Sequence, residues 1–564
     1  MMIAFRPKLL DTLPGYGRAA FAADLSAGVT VGVLALPLAM AFAIASGLSP
    51  AAGIWTAIVA GFLVSALGGS RVQIGGPTGA FIPIIYAIVV DYGVANLLIA
   101  TMMSGVLLLA MGAFKLGSMI RFIPLSVVIG FTNGIAVVIF ISQIKDFLGL
   151  EIEQLPGEFF ARMEALGTHL HTIHLPTVAL AVASLAVLLS WNRLAATRYA
   201  WMRRLPGPLA VLIIATAFNA LFALPVDTIG SRFGGIPQSL PDFGLPELSL
   251  STLGKLITPA ITIALLGAIE SLLSARVADS QVDDRHDPNQ ELMAQGIANV
   301  AAPLFGGFAA TGAIARTATN IRTGGRTPVA GMVHAGVLLA IVLVLAPLAS
   351  HIPLATLSAI VVVVAVNMGE WHAFAPGELK RYSLNYRTIL LGTFLITVVF
   401  DLTLAVEIGL VMASLFFIYR MSDLTRIERI SLDARPGAEN LLRADGSPRV
   451  VAYRMYGSLF FGAANKLENL LLMQDGHPEV VILDLNKVIN IDTTGLDILQ
   501  TLQRNLDKRG AQLILCDLNT QPASLVRRSG FFDKLGEPNV VANLAEALAR
   551  AGQLGGRDAE IAYA

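Results

Sequence analysis

Apolar residues cluster along this chain in long stretches that short polar segments separate. A helix that crosses a bilayer needs about 20 predominantly apolar residues, and most of these stretches approach that length. Fourteen of them occur, at residues 25–45, 51–68, 77–90, 95–114, 122–144, 175–191, 207–223, 256–278, 290–305, 312–322, 327–349, 353–369, 386–402 and 403–420. The pattern predicts a polytopic α-helical membrane protein whose fourteen spans divide as seven and seven.

The third and tenth stretches are short because Gly, Pro, Thr and Arg interrupt them. The first interruption is GGSRVQIGGPTGAFIPI at Gly68 to Ile84, and the second is FGGFAATGAIARTATNIRTGG at Phe305 to Gly325. Interrupted backbone is tolerated at membrane depth only where it contacts protein or lines a cavity. Such interruptions in corresponding halves of a chain are typical of a transporter and indicate its substrate site. We therefore expect spans 3 and 10 to be half-helices.

The composition agrees with a membrane protein and excludes several other classes. Hydrophobic residues make up 55% and charged residues 14% of the 564 positions, whereas soluble proteins average about 25% charged residues. The formal net charge of zero argues against a nucleic-acid partner. The single cysteine, Cys516, excludes an intramolecular disulfide and fits a reducing compartment.

No catalytic signature occurs in the sequence. Without a Walker motif, an HEXXH zinc site or a nucleophile elbow, an ATP-driven pump or an intramembrane hydrolase would lack its chemistry. We therefore expect neither an enzyme, nor a cofactor, nor a metal site. His334 has no His or Cys at metal-ligand spacing, and we expect it to be a satisfied buried histidine. A membrane-anchored sensor is the alternative class, although an anchor rarely needs fourteen spans.

The charges of the loops indicate the orientation of the spans. Basic residues follow the sixth and twelfth spans, and by the positive-inside rule these loops are cytoplasmic: Arg193, Arg198, Arg203, Arg204, Lys380, Arg381 and Arg387. The long loops at 145–174 and 224–255 carry the acidic residues Glu151, Glu153, Glu158, Asp227, Asp242 and Glu247. They are expected on the opposite side. The segment 1–23 lacks the compact apolar core of a signal peptide and is expected in the cytoplasm, followed by a transmembrane domain at 24–420.

Beyond residue 420 the pattern changes to that of a soluble α/β domain. Val480 to Leu485 is predicted to be a buried strand. A loop then reaches Asp492-Thr493-Thr494-Gly495, and a helix is predicted from Leu496, capped by Asp492. The strand, the D-[ST]-[ST]-G loop and the helix resemble a STAS domain. We place a linker at 421–440, this domain at 441–553 and a tail at 554–564, all in the cytoplasm.

Many ordered motifs along the chain resemble the SulP family of anion transporters. They include LALPLAMAFAIASGLSPAAGIW, GGPTGAF, SVVIGFTNGIAVVIFISQIKDFLG, LLGAIESLLSARVAD and ELMAQGIANVAAPLFGGFAATGAIARTATNIRTGGRTPVAG. The resemblance implies a 7+7 inverted repeat, with a core domain of spans 1–4 and 8–11 and a gate domain of spans 5–7 and 12–14. It also implies a homodimer in the inner membrane that carries sulfate, bicarbonate, chloride or small dicarboxylates. We expect sulfate, with bicarbonate and C4-dicarboxylate as alternatives.

The helix starts of spans 3 and 10 are the candidate substrate site. Thr78 and Gly79 open the first half-helix, and Gly312, Ala313 and Ile314 open the second. Their unpaired amides and positive dipole ends would attract an anion. The alternative is that the glycines only permit close helix packing.

Three further residues are candidates in the spans. Arg316, one turn into span 10, would attract the anion, or alternatively would extend to the interface and anchor the helix. Glu270 in span 8 would take up a proton, or alternatively would be structural. Family resemblance assigns Phe42 to a ring that closes over the anion.

Coupling to sodium is less expected than coupling to a proton. Related sodium-coupled bicarbonate carriers place Asp where Glu270 stands and a hydroxyl residue where Ile314 stands. Ser274 remains, but the second hydroxyl is absent, which weakens a sodium site built from oxygen ligands.

The STAS loop is a candidate regulatory site. Thr493 and Thr494 stand where related bacterial domains carry a phosphorylated hydroxyl, and phosphate would change docking of a cytoplasmic protein partner. The alternative is that the threonines only support the turn that Asp492 caps.

Overall fold

The computed structural model describes residues 5–118, 124–197, 206–236, 238–239, 241, 243–244, 250–400, 402–432, 441–442, 447–460 and 478–554. The chain forms two compact units, Met1–Leu410 and Val411–Ala564. The residues outside the described ranges include Arg198, Arg203, Arg204, Asp242 and Glu247, together with 433–440 of the predicted linker and 555–564 of the tail.

The first unit is helical, and each of the fourteen predicted stretches coincides with a helix. In chain order the helices are α1 (Lys8–Thr12), α2 (Arg18–Ala45), α3 (Pro50–Leu67), α4 (Ile82–Tyr92), α5 (Val94–Ala113), α6 (Leu125–Leu148), α7 (Phe159–Thr168), α8 (Leu175–Thr197), α9 (Gly207–Phe222), α10 (Ile229–Phe233), α11 (Leu250–Lys255), α12 (Ile257–Asp279), α13 (Pro288–Leu304), α14 (Ile314–Arg322), α15 (Val329–Ala349), α16 (Leu354–Met368), α17 (Pro376–Arg381), α18 (Leu384–Val399) and α19 (Leu402–Leu424). Helix α19 continues into the second unit.

Among the described residues, six helices are long and apolar enough to cross a membrane by length and composition, namely α2, α3, α5, α6, α12 and α15. Further apolar helices are shorter, among them the stretch Gly79–Tyr92 that contains α4. The polytopic helical fold is thus present, while the number of crossings stays a prediction.

Local sequence signals explain several helix ends. Ser49 caps α3, where its side chain accepts from the Ala52 amide and Pro50 occupies the first turn. Asp287 caps α13 in the same way, with Pro288 following it. Both arrangements use a polar N-cap followed by proline, whose missing N–H is not needed there. Helix α6 ends at Gly149, which adopts a left-handed conformation with φ of 66°.

Small residues bring the helices of the first unit into close contact. A Cβ added at Gly105 of α5 would lie 2.7 Å from the Gly296 carbonyl of α13, and one at Gly296 would lie 2.6 Å from the Gly105 carbonyl. A Cβ at Gly53 of α3 would overlap the Ala39 carbonyl of α2. Helix pairs in a bilayer gain their stability from such close backbone approach.

Some helix boundaries of the first unit differ from the sequence predictions. Helix α2 begins at Arg18, before the predicted start at 25, because Asp24 is buried by contacts instead of ending the helix. Its carboxylate accepts from the Arg326 and Thr327 amides at 2.7 and 3.2 Å. Arg193 lies in α8 and Arg387 in the first turn of α18, so neither residue belongs to a loop.

Two short strands of the first unit, β1 (Gly75–Gly76) and β2 (Thr311–Gly312), pair with each other. The described part of the second unit contains a five-stranded sheet, in which neighbouring strands follow chain order from β3 to β7. Its strands are β3 (Arg426–Arg429), β4 (Val450–Leu459), β5 (Val480–Ile491), β6 (Gln512–Cys516) and β7 (Val540–Val541). Within the described part of this sheet, β3 is antiparallel to β4, and the other neighbouring strands are parallel. The described helices of this sheet region are α20 (Thr493–Lys508), α21 (Thr520–Arg528), α22 (Phe531–Leu535) and α23 (Leu544–Leu554).

Two apolar clusters cover the faces of this sheet. Leu483 and Leu485 of β5 pack with Leu499 and Leu502 of α20 on one face. Ile482 of the same strand packs with residues of α23 on the other face. The alternation along β5 explains why it is buried on both sides, as parallel strands usually are.

Candidate functional site

The two interrupted segments meet through an antiparallel pair of two-residue strands. Gly75 of β1 pairs with Gly312 of β2, and Gly76 pairs with Thr311. The Ala313 amide extends this ladder by donating to the Ile74 carbonyl at 2.8 Å. Each strand leads directly into a half-helix, so the pairing brings the two helix starts together.

Neither helix start has a side-chain cap. Thr78 precedes a 3₁₀ turn, Gly79–Phe81, that continues into α4, and Ala313 precedes α14. Both residues are extended, with φ, ψ of −128°, 156° and −95°, 106°. Helix starts leave amides without intrahelical partners and carry the positive end of the helix dipole. The Gly312 and Ala313 amides already donate to Ser271 Oγ and to the Ile74 carbonyl. The amides that these uncapped starts leave for an anion are therefore those of the first helical turns.

Serine hydroxyls of helix α12 form hydrogen bonds with β2 and α14. Ser271 Oγ lies 2.6 Å from Thr311 Oγ1 and accepts from the Gly312 amide at 3.1 Å. Ser274 Oγ donates to Thr317 Oγ1 at 3.4 Å. Ser271 and Thr317 were not singled out in the sequence. The available signal was the placement of Ser271 and Ser274 three residues apart, on one face of an apolar helix.

Arg316 is buried beside the paired strands. It is 2% exposed, and its Nη2 donates to the Pro77 carbonyl. A Cβ added at Gly76 would lie 2.7 Å from Arg316 Nη1. The arginine does not extend to an interface as the alternative interpretation required. Its charge instead lies next to the residue that precedes Thr78.

Phe42 faces the start of the first half-helix. A Cβ added at Gly79 would lie 3.8 Å from Phe42 Cε1, 3.7 Å from Ile139 Cδ1 and 3.8 Å from Val364 Cγ1. Helices α2, α6 and α16 therefore converge on this start. Ile314, the first residue of α14, is 39% exposed.

Glu270 is nearly buried in α12, immediately before Ser271. In the described part of the chain its carboxylate has no hydrogen-bond partner. A cavity of about 1390 Å³ runs along the same helix and is lined by Ile269, Leu273 and Arg276. Pro124 and Leu125 at the start of α6 line its other wall. Neither Glu270 nor Ser274 is among the described residues that line this cavity, so it adjoins a different part of the helix surface.

His334 is not the satisfied buried histidine that the sequence predicts. It is fully buried, yet neither ring nitrogen has a hydrogen-bond partner among the residues that the structure describes. A Cβ added at Gly61 would lie 3.4 Å from its Cε1, so α3 packs against the ring without offering a polar group. The sequence could not show this lack of a partner, because it depends on which face of α3 meets α15.

The loop between β5 and α20 holds the predicted regulatory residues. Asp492 caps α20, as its Oδ1 accepts from the Gly495 amide at 2.7 Å. Thr493 and Thr494 are exposed at the start of the helix. Strand β5 was predicted to end at Leu485 and instead continues to Ile491. Asn519 stabilises the additional part of the strand by donating to the Asn486 and Val488 carbonyls, both at 2.8 Å.

Comparison with known proteins agrees with this architecture. Interrupted helices paired inside a helical membrane unit define a membrane carrier. The model of the sulfate permease family matches residues 21–382 and that of the STAS domain matches residues 442–547. The chain therefore belongs to the sulfate permease family, as its motifs indicated.

Several relatives are similar over most of their length. The putative sulfate transporter YvdB of Bacillus subtilis (strain 168) is 44% identical over 93% of this chain and 96% of its own. The bicarbonate transporter BicA of Picosynechococcus sp. (strain ATCC 27264 / PCC 7002 / PR-6) is 31% identical over 86% of this chain and 87% of its own.

Solved structures confirm the fold class. The transmembrane domain of a cyanobacterial bicarbonate transporter BicA matches with a TM-score of 0.61 and 30% identity, covering 71% of this chain and 98% of that domain. Murine Solute Carrier 26 family member A9, an anion transporter in the inward-facing state, matches with a TM-score of 0.85 over 97% of this chain and 94% of its own. At 21% identity, the second likeness concerns the fold alone.

Proposed function

We propose that this protein is a secondary transporter that moves a small oxyanion, with sulfate as the first candidate. The observation that carries the proposal is the pair of uncapped helix starts held together by β1 and β2. Relatives named as sulfate transporters and bicarbonate transporters support an anion as the cargo. Bicarbonate and a C4-dicarboxylate are the alternatives, because backbone amides select an anion without defining which one.

In this proposal the anion lies between Thr78 and Gly79 on one side and Gly312, Ala313 and Ile314 on the other. Arg316 adds positive charge from behind Pro77, and the Phe42 ring covers the start of the first half-helix. Transport follows when the core domain, which carries both half-helices, moves against the gate domain. Residues of α6 and α16 that face Gly79 supply the gate side of the contact.

Glu270 is the proposed proton carrier, and Ser274 its neighbour on the same face. A proton on Glu270 would offset part of the charge that the anion brings into the span. Ser274 is engaged with Thr317, and Ile314 offers no oxygen. Proton coupling is therefore favoured over a sodium site, which needs several oxygen ligands. Anion exchange is the other form of the proposal.

The remaining proposals concern the cell and the assembly. We propose that the protein lies in the inner membrane as a homodimer, with the N-terminus and the STAS domain in the cytoplasm. Thr493 and Thr494 are exposed beside the cap of α20, which leaves them accessible to a kinase or a cytoplasmic protein partner. Phosphate at this position would add nearly two negative charges.

Uptake into proteoliposomes tests the main proposal. The full-length protein is reconstituted, and initial uptake of labelled sulfate, bicarbonate and succinate is compared with that of protein-free vesicles. We expect saturable sulfate uptake that the unlabelled anion inhibits. Correctly folded protein that moves none of the three anions would contradict the proposal and favour a membrane-anchored sensor instead.

A further inference from the structure

Helix α13 carries three buried polar residues on one face. Glu291, Gln295 and Asn299 follow one another at intervals of four, and each is at most 1% exposed. Residues at this spacing lie on the same side of a helix. Buried polar groups in a membrane unit are costly unless they have partners, so their contacts are informative. We call these residues the α13 ladder.

Glu291, at the start of the ladder, binds the interrupted segment of the first half. One carboxylate oxygen accepts from the Gly69 and Ser70 amides at 2.9 and 3.2 Å. The other accepts from the side-chain amides of Gln73 and Gln295, both at 3.1 Å. Four donors satisfy the carboxylate, and such charge-assisted bonds are among the strongest in proteins.

Asn299, at the other end of the ladder, binds the interrupted segment of the second half. Its Oδ1 accepts from the Ala310 amide at 2.8 Å, and its Nδ2 donates to the Ala310 carbonyl at 2.9 Å. Ala310 immediately precedes β2. One rigid helix therefore holds the chain just before β1 and just before β2.

Gln73 connects the two segments directly. Its side chain lies against Gly312, where an added Cβ would overlap Gln73 Nε2. Gln73 Oε1 has no hydrogen-bond partner in the described part of the chain, so the bond to Glu291 is what fixes this amide group. Glu291 thus positions the side chain of Gln73, which in turn packs against Gly312 at the start of the second half-helix.

We infer that the α13 ladder is a positioning device that sets β1 against β2, so that both helix starts point at one anion. None of its three residues touches the anion in this arrangement. The inference rests on the proposed function for its consequence in binding, but the pairing itself can be measured without any anion.

Hydrogen exchange of the full-length protein tests the pairing. In Glu291→Gln an NH2 group replaces one carboxylate oxygen. This group faces N–H donors and cannot accept hydrogen bonds from them. We expect faster exchange at residues 69–76 and also at 311–313, which Glu291 does not contact. Asn299→Asp should likewise affect both segments, whereas Glu164→Gln, an exposed control on α7, should affect neither. Acceleration confined to the segment that each residue contacts would refute the inference, whatever the protein transports.

A double-mutant cycle tests the consequence for binding. Gly312→Ala should weaken sulfate binding by about tenfold or more, a free-energy difference of about 1.4 kcal/mol, because the methyl group displaces Gln73. Gln73→Ala should itself weaken binding, because it removes the amide group through which Glu291 acts, and adding Gly312→Ala to it should have little further effect. Gly336→Ala, where an added Cβ meets nothing within 4 Å, is the matched control.

The outcomes of this cycle separate the two proposals. Wild-type protein that binds sulfate, with additive effects of Gln73→Ala and Gly312→Ala, would remove the ladder and leave the transport function intact. Wild-type protein that binds and moves no anion would remove the function, and the exchange experiment would still decide the pairing. If Gly312→Ala does not fold, Gln73→Ala alone decides the matter: it is expected to lose exchange protection at 311–313, and wild-type protection there would count against the inference.

Discussion

Two buried donors without partners lie beside Pro77. Thr78 Oγ1 and Arg316 Nη1 have no hydrogen-bond partner in the part of the chain that the structure describes. Leaving a buried polar group unpaired costs about 1–3 kcal/mol, and native proteins contain few such groups. Both groups can donate to an oxyanion, and the guanidinium is held in place by its bond to the Pro77 carbonyl. In the proposed function, an incoming anion would relieve this cost.

Replacing Thr78 by Val tests this explanation. The substitution keeps the shape of the side chain and removes only the hydroxyl, so the anion loses one donor. A hydrogen bond to a charged group contributes about 1.5–3 kcal/mol, and we expect sulfate affinity to fall by about tenfold or more. Thr30→Val removes a hydroxyl that bonds only to its own helix in α2 and should leave affinity unchanged. Equal affinity of the Thr78→Val variant and the wild type would show that this hydroxyl does not contact the anion.

The half-helices and their starts follow from the sequence, because Gly and Pro interrupt apolar runs at recognisable positions. Their pairing does not follow, since β1 and β2 are two residues long and more than 230 positions apart (311 − 76 = 235). A strand of two residues has no periodicity to detect. The Glu-Gln-Asn spacing on α13 was visible in the sequence, but its partners Gly69, Ser70 and Ala310 contribute backbone groups, which no residue type identifies.

Strand β5 shows a different reason for a missed boundary. The polar pair Asn486-Lys487 breaks the apolar run that ended the predicted strand at Leu485. The pairing with β4 continues past it through two register shifts, between Arg454 and Tyr456 and between Gly457 and Ser458. Such irregularities let a strand re-aim its side chains. The extension carries the chain to Asp492, and so places the loop with Thr493 and Thr494.

The cap of α20 can be tested through the first turn of that helix. Asp492→Ala removes the acceptor for the Gly495 amide, and loss of an N-cap typically costs about 1 kcal/mol. We expect faster hydrogen exchange at residues 494–497 of the full-length protein, with little change in β6. Asp492→Asn keeps an acceptor at the same position and should retain most of the protection. Similar exchange in the Ala and Asn variants would mean that the cap contributes little.

Cysteine labelling can determine the orientation of the chain in the membrane without removal of the native cysteine. Cys516 is fully buried, and burial, followed by the neighbouring Asp484, raises the pKa of its thiol to about 12. The thiolate is the reactive form, so at neutral pH Cys516 should not react until the protein is denatured. A maleimide would then report only on cysteines that are introduced elsewhere.

Two exposed positions serve for this topology experiment. Arg381 lies at the end of α17 and Glu158 precedes α7. Arg381→Cys should be labelled only from the cytoplasmic side, and Glu158→Cys only from the outer side. Labelling of both from one side would contradict the predicted number of crossings between them. Labelling of each from the side opposite to the prediction would instead reverse the whole orientation, including the proposed cytoplasmic STAS domain.

Coupling between the proton and the anion is a property of the whole transport unit, and Glu270 is where we expect it. The carboxylate lies in α12 next to Ser271, whose hydroxyl accepts from the Gly312 amide. Glu270→Gln mimics the protonated form permanently, and should fold normally while losing the response to a proton gradient.

The measurement is initial sulfate uptake into proteoliposomes under an inward proton gradient, compared with an inward sodium gradient at constant pH. We expect the proton gradient to accelerate wild-type uptake and to leave Glu270→Gln at its slow basal exchange, with Glu164→Gln on α7 as the exposed control. Acceleration by sodium alone, equal in the wild type and in Glu270→Gln, would assign both the coupling ion and its residue elsewhere.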